Sequence, residues 1–385
     1  MKKLVVLVLV VAMMMATLIG CASAPAETEN TGSPATENTG EASQPADPSE
    51  STTTGGSNED LVGEGLGRDY GLGACGFDLD ALVERMGADN VKQLRIGVTV
   101  AQQTNNWQIE WADELKKLAD EYGFEIQVLS ADSDAAKEVD NVKSFVAQDM
   151  DAIISYASNP VSLAATLTET NQTIPIINAV GDATVEVDAA VEEFTPQELM
   201  GQTIADQMAA DANGEERNVL LLDSSKDLLY LRQRLDGFEQ RIAEKYPNIH
   251  VIDTRLDQTE DGWLNQSKES LLANPEINAI FATYTAPMMG GYNAAKQLNI
   301  EEMHIYGIDA DEATLGLVEQ GEIDALYIQF PRVHAYWSIF NTLRVLSGEQ
   351  IDPVQQYFPD WSPYGVYTVT PANVEEARGI LYPEG

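Results

Sequence analysis

Short apolar and β-branched runs alternate with longer amphipathic segments from residue 94 to about residue 370. Runs of about four to eight such residues, bounded by polar or glycine-containing stretches, are typical of buried strands. The pattern predicts strands at Leu94–Val100, Glu125–Leu129, Ala152–Ser155, Ile174–Ile177, Val219–Leu222, Val251–Thr254, Ala279–Ala282, His304–Ile308 and Ala325–Ile328.

The segments between these runs have helical spacing. After the first strand, apolar residues recur three or four positions apart, at Trp107, Trp111, Leu115, Leu118 and Tyr122. Residues with this spacing share one face of a helix, and Gly123 is a suitable residue to end it. Strands alternating with such helices predict an α/β fold, in which helices cover both faces of parallel sheets.

The length of this region bears on domain number and on where a site would lie. About 280 residues of uniform texture suit two domains better than one. Parallel connections place binding loops at the carboxyl ends of strands, so we expect a ligand site there.

The N-terminus has the features of an export signal. Two lysines precede an uncharged run, Leu4–Ile19, which is shorter than the roughly 20 residues of a spanning helix. Residues 18–21 read Leu-Ile-Gly-Cys and resemble a bacterial lipobox. Residues 1–20 are thus predicted to be a lipoprotein signal peptide, and Cys21 to be lipidated and to anchor the protein outside the cell membrane. An ordinary signal peptide that contains a cysteine is the alternative.

The next segments differ from the folded region. Residues 21–60 are rich in Ala, Thr, Ser, Pro, Gly and Glu and lack Lys and Arg, so we predict a disordered acidic tether. Residues 61–92 form an N-terminal extension with one predicted helix at Leu79–Met86 and no assigned role.

Charge and side-chain inventory exclude several functions. The chain has 62 acidic and 22 basic residues, a net charge of −40, which argues against nucleic acid as a partner. The three histidines, His250, His304 and His334, lack metal-ligand spacing, and hydrolase and phosphate-binding motifs are missing. We therefore expect no enzyme activity, catalytic residue, metal or cofactor, with an extracellular hydrolase as the remote alternative.

Several motifs follow one another in order. Asn105-Asn106-Trp107 opens the first helix, AQDMDAII at 147–154 leads into the third strand, and RQRLDGF lies at 232–238. ANPEINAIFA at 273–282, GID at 307–309 and IQFP at 328–331 follow. In this order and spacing they resemble the ribose-binding type of periplasmic sugar-binding proteins over about residues 93–370.

The resemblance implies the type I architecture: two similar lobes, each a parallel sheet flanked by helices, joined by a three-segment hinge with a ligand cleft between them. By analogy, residues 93–194 and 329–358 form the N-terminal lobe. Residues 195–328 and 359–385 form the C-terminal lobe, with a last strand near 359–370.

The resemblance also implies ligand-binding residues, and the sequence departs from the family at several of them. Val180 and Gly181 stand where the family has an Asp-Arg pair, Gln108 where a second aromatic residue is usual, and Tyr284 and Thr285 where Asn-Asp is usual. These departures favour a sugar-like ligand other than ribose. The expected ligand-binding residues are Asn105, Trp107, Gln108, Asp182, Arg232, Tyr284, Asp309 and Gln329.

The resemblance implies a monomeric, extracytoplasmic solute-binding lipoprotein that closes on a small sugar-like molecule and delivers it to an ABC transporter permease. A receptor that presents the same kind of ligand to a membrane signalling protein is the alternative. Genes next to this one would separate the two, because a permease and an ATPase indicate transport and a histidine kinase indicates sensing.

Overall fold

The structure is a computed structural model that describes residues 77–157, 160–179, 189–191, 197–224, 228–349, 351 and 368–382. The predicted signal peptide, Cys21 and the tether lie outside the described residues, as does Asp182. Within the described ranges, no helix is both long and apolar enough to cross a membrane.

The first sheet contains five parallel strands in the order β2-β1-β3-β4-β5. Their bounds are β1 Arg95–Val100, β2 Glu125–Ser130, β3 Ala152–Tyr156, β4 Ile176–Ala179 and β5 Ala189–Val191. β1 is central and almost wholly buried, since Ile96, Val98 and Val100 are each 0% exposed. The apolar run that predicted this strand therefore forms the middle of the first core.

The second sheet has six strands in the order β11-β10-β9-β8-β6-β7. Their bounds are β6 Arg217–Ser224, β7 Ile249–Asp257, β8 Ala279–Ala282, β9 His304–Ile308, β10 Ala325–Tyr327 and β11 Thr368–Val369. All pairs are parallel except β10 with β11, which is antiparallel. The predicted α/β class with two parallel sheets is confirmed.

Helices connect the strands and cover the sheets. They are α1 Leu79–Met86, α2 Ala88–Val91, α3 Asn106–Tyr122, α4 Ala135–Ala147, α5 Pro160–Thr170, α6 Gln197–Ala212, α7 Leu229–Lys245, α8 Glu260–Ala273, α9 Thr285–Gln297, α10 Glu312–Glu319, α11 Pro331–Leu346 and α12 Val374–Leu381. The apolar stripe of α3 is buried, as its spacing predicted, and Gly123 ends the helix in the left-handed region at φ 82°.

The chain passes between the two sheets three times along the described elements: between β5 and α6, between β10 and α11, and between α11 and β11. The second passage is direct, because Tyr327 ends β10 and Pro331 begins α11. α11 then packs against α3 and against strands of the first sheet. A site at the facing ends of the sheets is therefore built by both.

The predicted helix Leu79–Met86 is confirmed, and the structure gives it a place. Leu79 is 0% exposed and belongs to the core that α3 and α11 share. The Leu79 backbone N–H donates to the Tyr336 hydroxyl (2.9 Å), which donates to the Phe77 carbonyl (2.9 Å). The described part of the N-terminal extension is thus integrated into the first lobe. Strand β5, three residues long, was not predicted.

Candidate functional site

A cavity of about 260 Å³ lies where strands of both sheets end. Its described lining comes from both sides of the second interlobe passage: Gln102, Thr104, Asn105, Trp107, Gln108, Ser133, Tyr156, Ser224, Leu228, Tyr230, Leu231, Arg234, Gln258, Glu260, Trp263, Tyr284, Ala286, Asp309 and Gln329. This lining combines planar polar side chains with several aromatic rings.

A buried arginine organises the polar side of the cavity. Arg234 of α7 is 3% exposed and donates from Nε to Gln197 Oε1 (2.7 Å) and from Nη1 to the Thr283 carbonyl (2.8 Å). It also reaches Asp309 Oδ2 (3.4 Å) and Gln329 Oε1 (3.0 Å). Because a buried guanidinium needs paired acceptors, this network holds the Asp309 and Gln329 side chains in place.

Asp309 immediately follows strand β9 and adopts φ 70°, a left-handed conformation that aspartate tolerates better than most residues. Its backbone N–H donates to the Tyr327 carbonyl (2.8 Å). Burial raises the pKa of its carboxyl, and the charge of Arg234 opposes that rise. Oδ1 is buried with no hydrogen-bond partner in the structure, so the cavity holds an unsatisfied acceptor.

Aromatic rings form the apolar side. The Trp107 ring meets the Tyr156 ring edge to face, with centroids 5.6 Å apart, and Tyr156 meets Tyr230 at 6.4 Å. Trp263 packs edge to face on Tyr284 at 5.7 Å. These rings are contributed by both lobes, so a ligand in the cavity can contact aromatic surface on each.

The first turn of α3 fixes two of the predicted residues. The Asn105 side chain caps the helix by accepting from the Gln108 N–H (3.3 Å). Gln108 is 3% exposed, and its Oε1 accepts from the Gln102 N–H (2.8 Å). Both residues line the cavity, but part of their hydrogen-bonding capacity already serves the local fold.

Tyr284 follows strand β8 at the start of α9. Burial raises the pKa of its hydroxyl, which therefore stays protonated, and Ser224 is its hydrogen-bond partner. Next to it, the Thr283 hydroxyl donates to the buried Asp223 carboxylate. Tyr284 thus presents a neutral hydroxyl to the cavity where the resembled family usually has an amide.

Arg234 lines the cavity, and Arg232, the arginine predicted to bind the ligand, does not. Arg232 is exposed and is not among the described lining residues, whereas Arg234 is. Leu231, Arg234, Leu235 and Phe238 are all buried, a spacing of three and four that defines the inward face of α7. The sequence did contain the signal: Arg234 lies four residues before the buried Phe238, and therefore on the same face of the helix, whereas Arg232 lies six residues before it.

Three aromatic lining residues were not predicted: Tyr156, Tyr230 and Trp263. Tyr156 is the last residue of β3 and so lies at the carboxyl end of a predicted strand, a position that could have marked it. Tyr230 and Trp263 lie near the starts of α7 and α8, and no local pattern separates them from core aromatic residues.

A second cavity of about 460 Å³ shares six lining residues with the first: Thr104, Asn105, Trp107, Glu260, Ala286 and Asp309. Its other described lining residues include Asp261 and Asp311. No group of three or more His, Cys, Asp or Glu side chains in the described ranges could hold a metal ion.

The family of periplasmic binding protein domains matches residues 96–350, about two thirds of the chain. The chain belongs to this periplasmic binding protein family. The resemblance stated from the motifs is thereby confirmed, and so is the two-lobed fold class. Members of the family are solute-binding proteins.

Curated relatives of this periplasmic binding protein include the ribose import binding protein of Haemophilus influenzae, which is 24% identical over 260 residues. That match covers 67% of this chain and 87% of the relative. The corresponding Bacillus subtilis protein is 22% identical over 268 residues, covering 68% of this chain and 85% of its own.

A similar solved structure is an ABC transporter solute-binding protein from Bacillus halodurans with bound myo-inositol. It is 23% identical, with a TM-score of 0.67, and the match covers 75% of this chain and 98% of that one. At this identity the likeness establishes the fold of this periplasmic binding protein.

Proposed function

We propose that this protein captures a small polyhydroxylated, sugar-like molecule outside the cytoplasm and delivers it to an ABC transporter permease. The observation that carries the proposal is the cavity in which Asp309, Arg234 and Gln329 face aromatic rings from both lobes. The names of the relatives, which include ribose import binding proteins, support the same class of ligand.

The lining suits a sugar because a sugar presents hydroxyl groups and flat C–H patches. Carboxylate and amide side chains bind hydroxyl groups in defined directions, and bonds to charged groups are roughly twice as strong as neutral ones. Trp107 and Tyr156 supply apolar faces for the C–H patches. Asn105, Gln108 and Tyr284 complete the proposed ligand contacts.

Closure of the cleft is part of the proposal. The Asn106 side chain, at the start of α3, donates to Asp311 Oδ2 (3.1 Å) across the cleft, where Asp311 precedes α10. A ligand that touches both lobes favours the closed form, because only that form makes both sets of contacts.

A thermal-shift screen of the full-length protein in detergent tests the ligand class. Sugars, polyols, nucleosides and amino acids are compared, and a sugar or polyol should raise the melting temperature. The shift should disappear in Asp309→Ala and persist in Asp120→Ala, an exposed carboxylate on α3. A shift only with amino acids would contradict the ligand class, and chemical conversion of the bound sugar would favour a hydrolase.

Anchoring through a lipid on Cys21 is proposed from the lipobox-like sequence, and Cys21→Ala tests it. Expressed in a bacterium, the wild-type protein should incorporate labelled palmitate and sediment with membranes. The variant should do neither. Equal labelling of both proteins would contradict the anchor and leave the ligand proposal untouched.

A further inference from the structure

The two cavities meet at a junction defined by the six residues that line both: Thr104, Asn105, Trp107, Glu260, Ala286 and Asp309. The junction includes two carboxylates and one indole, and none of the six is basic. The excess of acidic residues in the whole chain makes some acidic lining unremarkable. The hydrogen bonds and ion pairs of these two carboxylates therefore indicate, better than their charge alone, which ligand group they suit.

Asp309 is 8% exposed, and only its Oδ2 is paired, with Arg234. Oδ1 is buried without a hydrogen-bond partner. An unsatisfied buried acceptor is unfavourable, more so when it belongs to a charged group. A hydrogen-bond donor on the ligand that reaches Oδ1 would remove this free-energy cost. A cationic donor would form the strongest bond with it.

Arg234, in contrast, is committed to the protein. It is the one basic residue in the described lining of either cavity, and its Nε and both Nη atoms donate to protein acceptors. The Arg234 guanidinium therefore holds Asp309 and Gln329 in place. Among the described lining residues there is no other cation that an anionic ligand could bind.

Glu260, the second carboxylate of the junction, is the first residue of α8 and is exposed. None of the described residues forms an ion pair with it. The Trp107 indole at the same junction can add a cation–π contact, which indole provides better than other rings. Two carboxylates and an indole that line the same junction suit an ammonium group.

We propose that the ligand carries an amino group, as an amino sugar or an aminated cyclitol does, and that its ammonium lies at the junction of Asp309, Glu260 and Trp107. This inference rests on the proposed function, since it names the chemical class of the ligand for the same cleft. The hydroxyl groups of the ligand occupy the first cavity, and the second cavity extends beyond the amine.

Isothermal titration calorimetry of the full-length protein with matched sugars tests the inference. Each set contains a neutral hexose, its 2-amino derivative and its N-acetylated derivative, in the gluco, galacto and manno series. In at least one set the amine should bind about tenfold or more tightly than both partners, because acetylation removes the charge. A higher salt concentration should reduce the difference in affinity between the amine and the two uncharged sugars, because salt screens the charge.

Two charge-removing variants locate the ammonium. Glu260→Gln and Asp309→Asn should each weaken amine binding by about 10- to 100-fold and bring amine and neutral affinities together. Glu269→Gln, an exposed carboxylate further along α8, makes the same change in charge away from the junction and should leave binding unchanged. If Asp309→Asn fails to fold, Glu260→Gln alone decides.

The outcomes separate the two proposals. Neutral hexoses that bind as tightly as their amines in every set overturn the ammonium site and leave the proposed sugar-binding function standing. No binding by any neutral or aminated sugar or polyol, in these titrations or in the thermal-shift screen, overturns both. An amine preference that persists unchanged in Glu260→Gln and Asp309→Asn overturns the location at the junction.

Discussion

Asp309 shows how one residue couples the fold to the site. Its backbone extends the pairing of β9 with β10, its Oδ2 pairs with Arg234, and its Oδ1 lacks a partner. Burial raises the pKa of its carboxyl in the folded state. At a pH between the unfolded-state pKa and the higher folded-state pKa, the folded state holds a proton that the unfolded state has released. The protein therefore loses stability from this group as pH rises from the lower pKa to the higher one.

Without ligand, the stabilities of the wild type and of Asp309→Asn should depend differently on pH. Relative to the wild type, the variant should gain free energy of unfolding as pH rises above about 4, the usual carboxyl pKa in an unfolded chain, because its amide does not ionise. Urea unfolding at several pH values measures this. A difference that stays constant with pH, or changes in the opposite direction, would contradict the burial argument.

At the residue scale, the sequence located much of the candidate site. Six of the eight expected ligand-binding residues line one cavity: Asn105, Trp107, Gln108, Tyr284, Asp309 and Gln329. Their contact with a ligand stays a prediction, and Asp182 lies outside the described residues. Arg232 does not line this cavity, because the motif predicts the helix but not which of its arginines faces inward. Tyr230 and Trp263 were missed because their role depends on how the lobes come together.

At the element scale, the close approach of α6 and α7 places Arg234. A Cβ on Gly201 would lie 1.9 Å from the Arg234 carbonyl oxygen, and one on Gly237 2.1 Å from the Glu198 carbonyl oxygen. Both glycines are therefore required by backbone contact between the helices. Gly237 belongs to the RQRLDGF motif, so part of this contact was visible in the sequence, whereas its partner Gly201 was not.

Gly201→Ala should push the two helices apart and displace Arg234. We expect a loss of about 1–3 kcal/mol in the free energy of unfolding, together with weaker ligand binding. Gly316→Ala is the control, since Gly316 is helical with open space around it and alanine there should be neutral or slightly stabilising. Equal effects of the two substitutions in urea unfolding would contradict the packing argument.

Helix α1 provides a second prediction about an element. Leu79 is fully buried, whereas Glu84 on the same helix is exposed. Leu79→Ala should cost about 2–5 kcal/mol by creating a cavity in the shared core. Glu84→Ala should change stability little, within about 0.5 kcal/mol. If chemical denaturation gives similar small losses for both, α1 is not an integral part of the first lobe.

At the scale of the whole molecule, the alternation of strands and helices predicted parallel sheets, and the resemblance to sugar-binding proteins implied two lobes with three passages between them. Contacts across the cleft could not be predicted from the sequence, because they join residues that are far apart along the chain. Asn106 and Asp311, for example, are separated by 205 positions and meet through one hydrogen bond. Such pairs depend on how far the lobes close, which no local pattern encodes.

Asn106→Ala should therefore weaken the closed form and lower ligand affinity by about two- to tenfold, the effect of one lost hydrogen bond. Asp120→Ala on the same helix is exposed and remote from Asp311, so it should leave affinity unchanged. Titration calorimetry with a ligand from the screen measures both. An affinity that does not change in Asn106→Ala would show that this bond does not contribute to closure.

The most direct test of a sugar-binding cleft is a crystal structure of the protein with a ligand from the thermal-shift screen. The account predicts one ligand in the 260 Å³ cavity, bonded to Asp309 and Gln329 and in contact with Trp107. A ligand bound elsewhere on the surface, or one that touches a single lobe in the closed form, would contradict it.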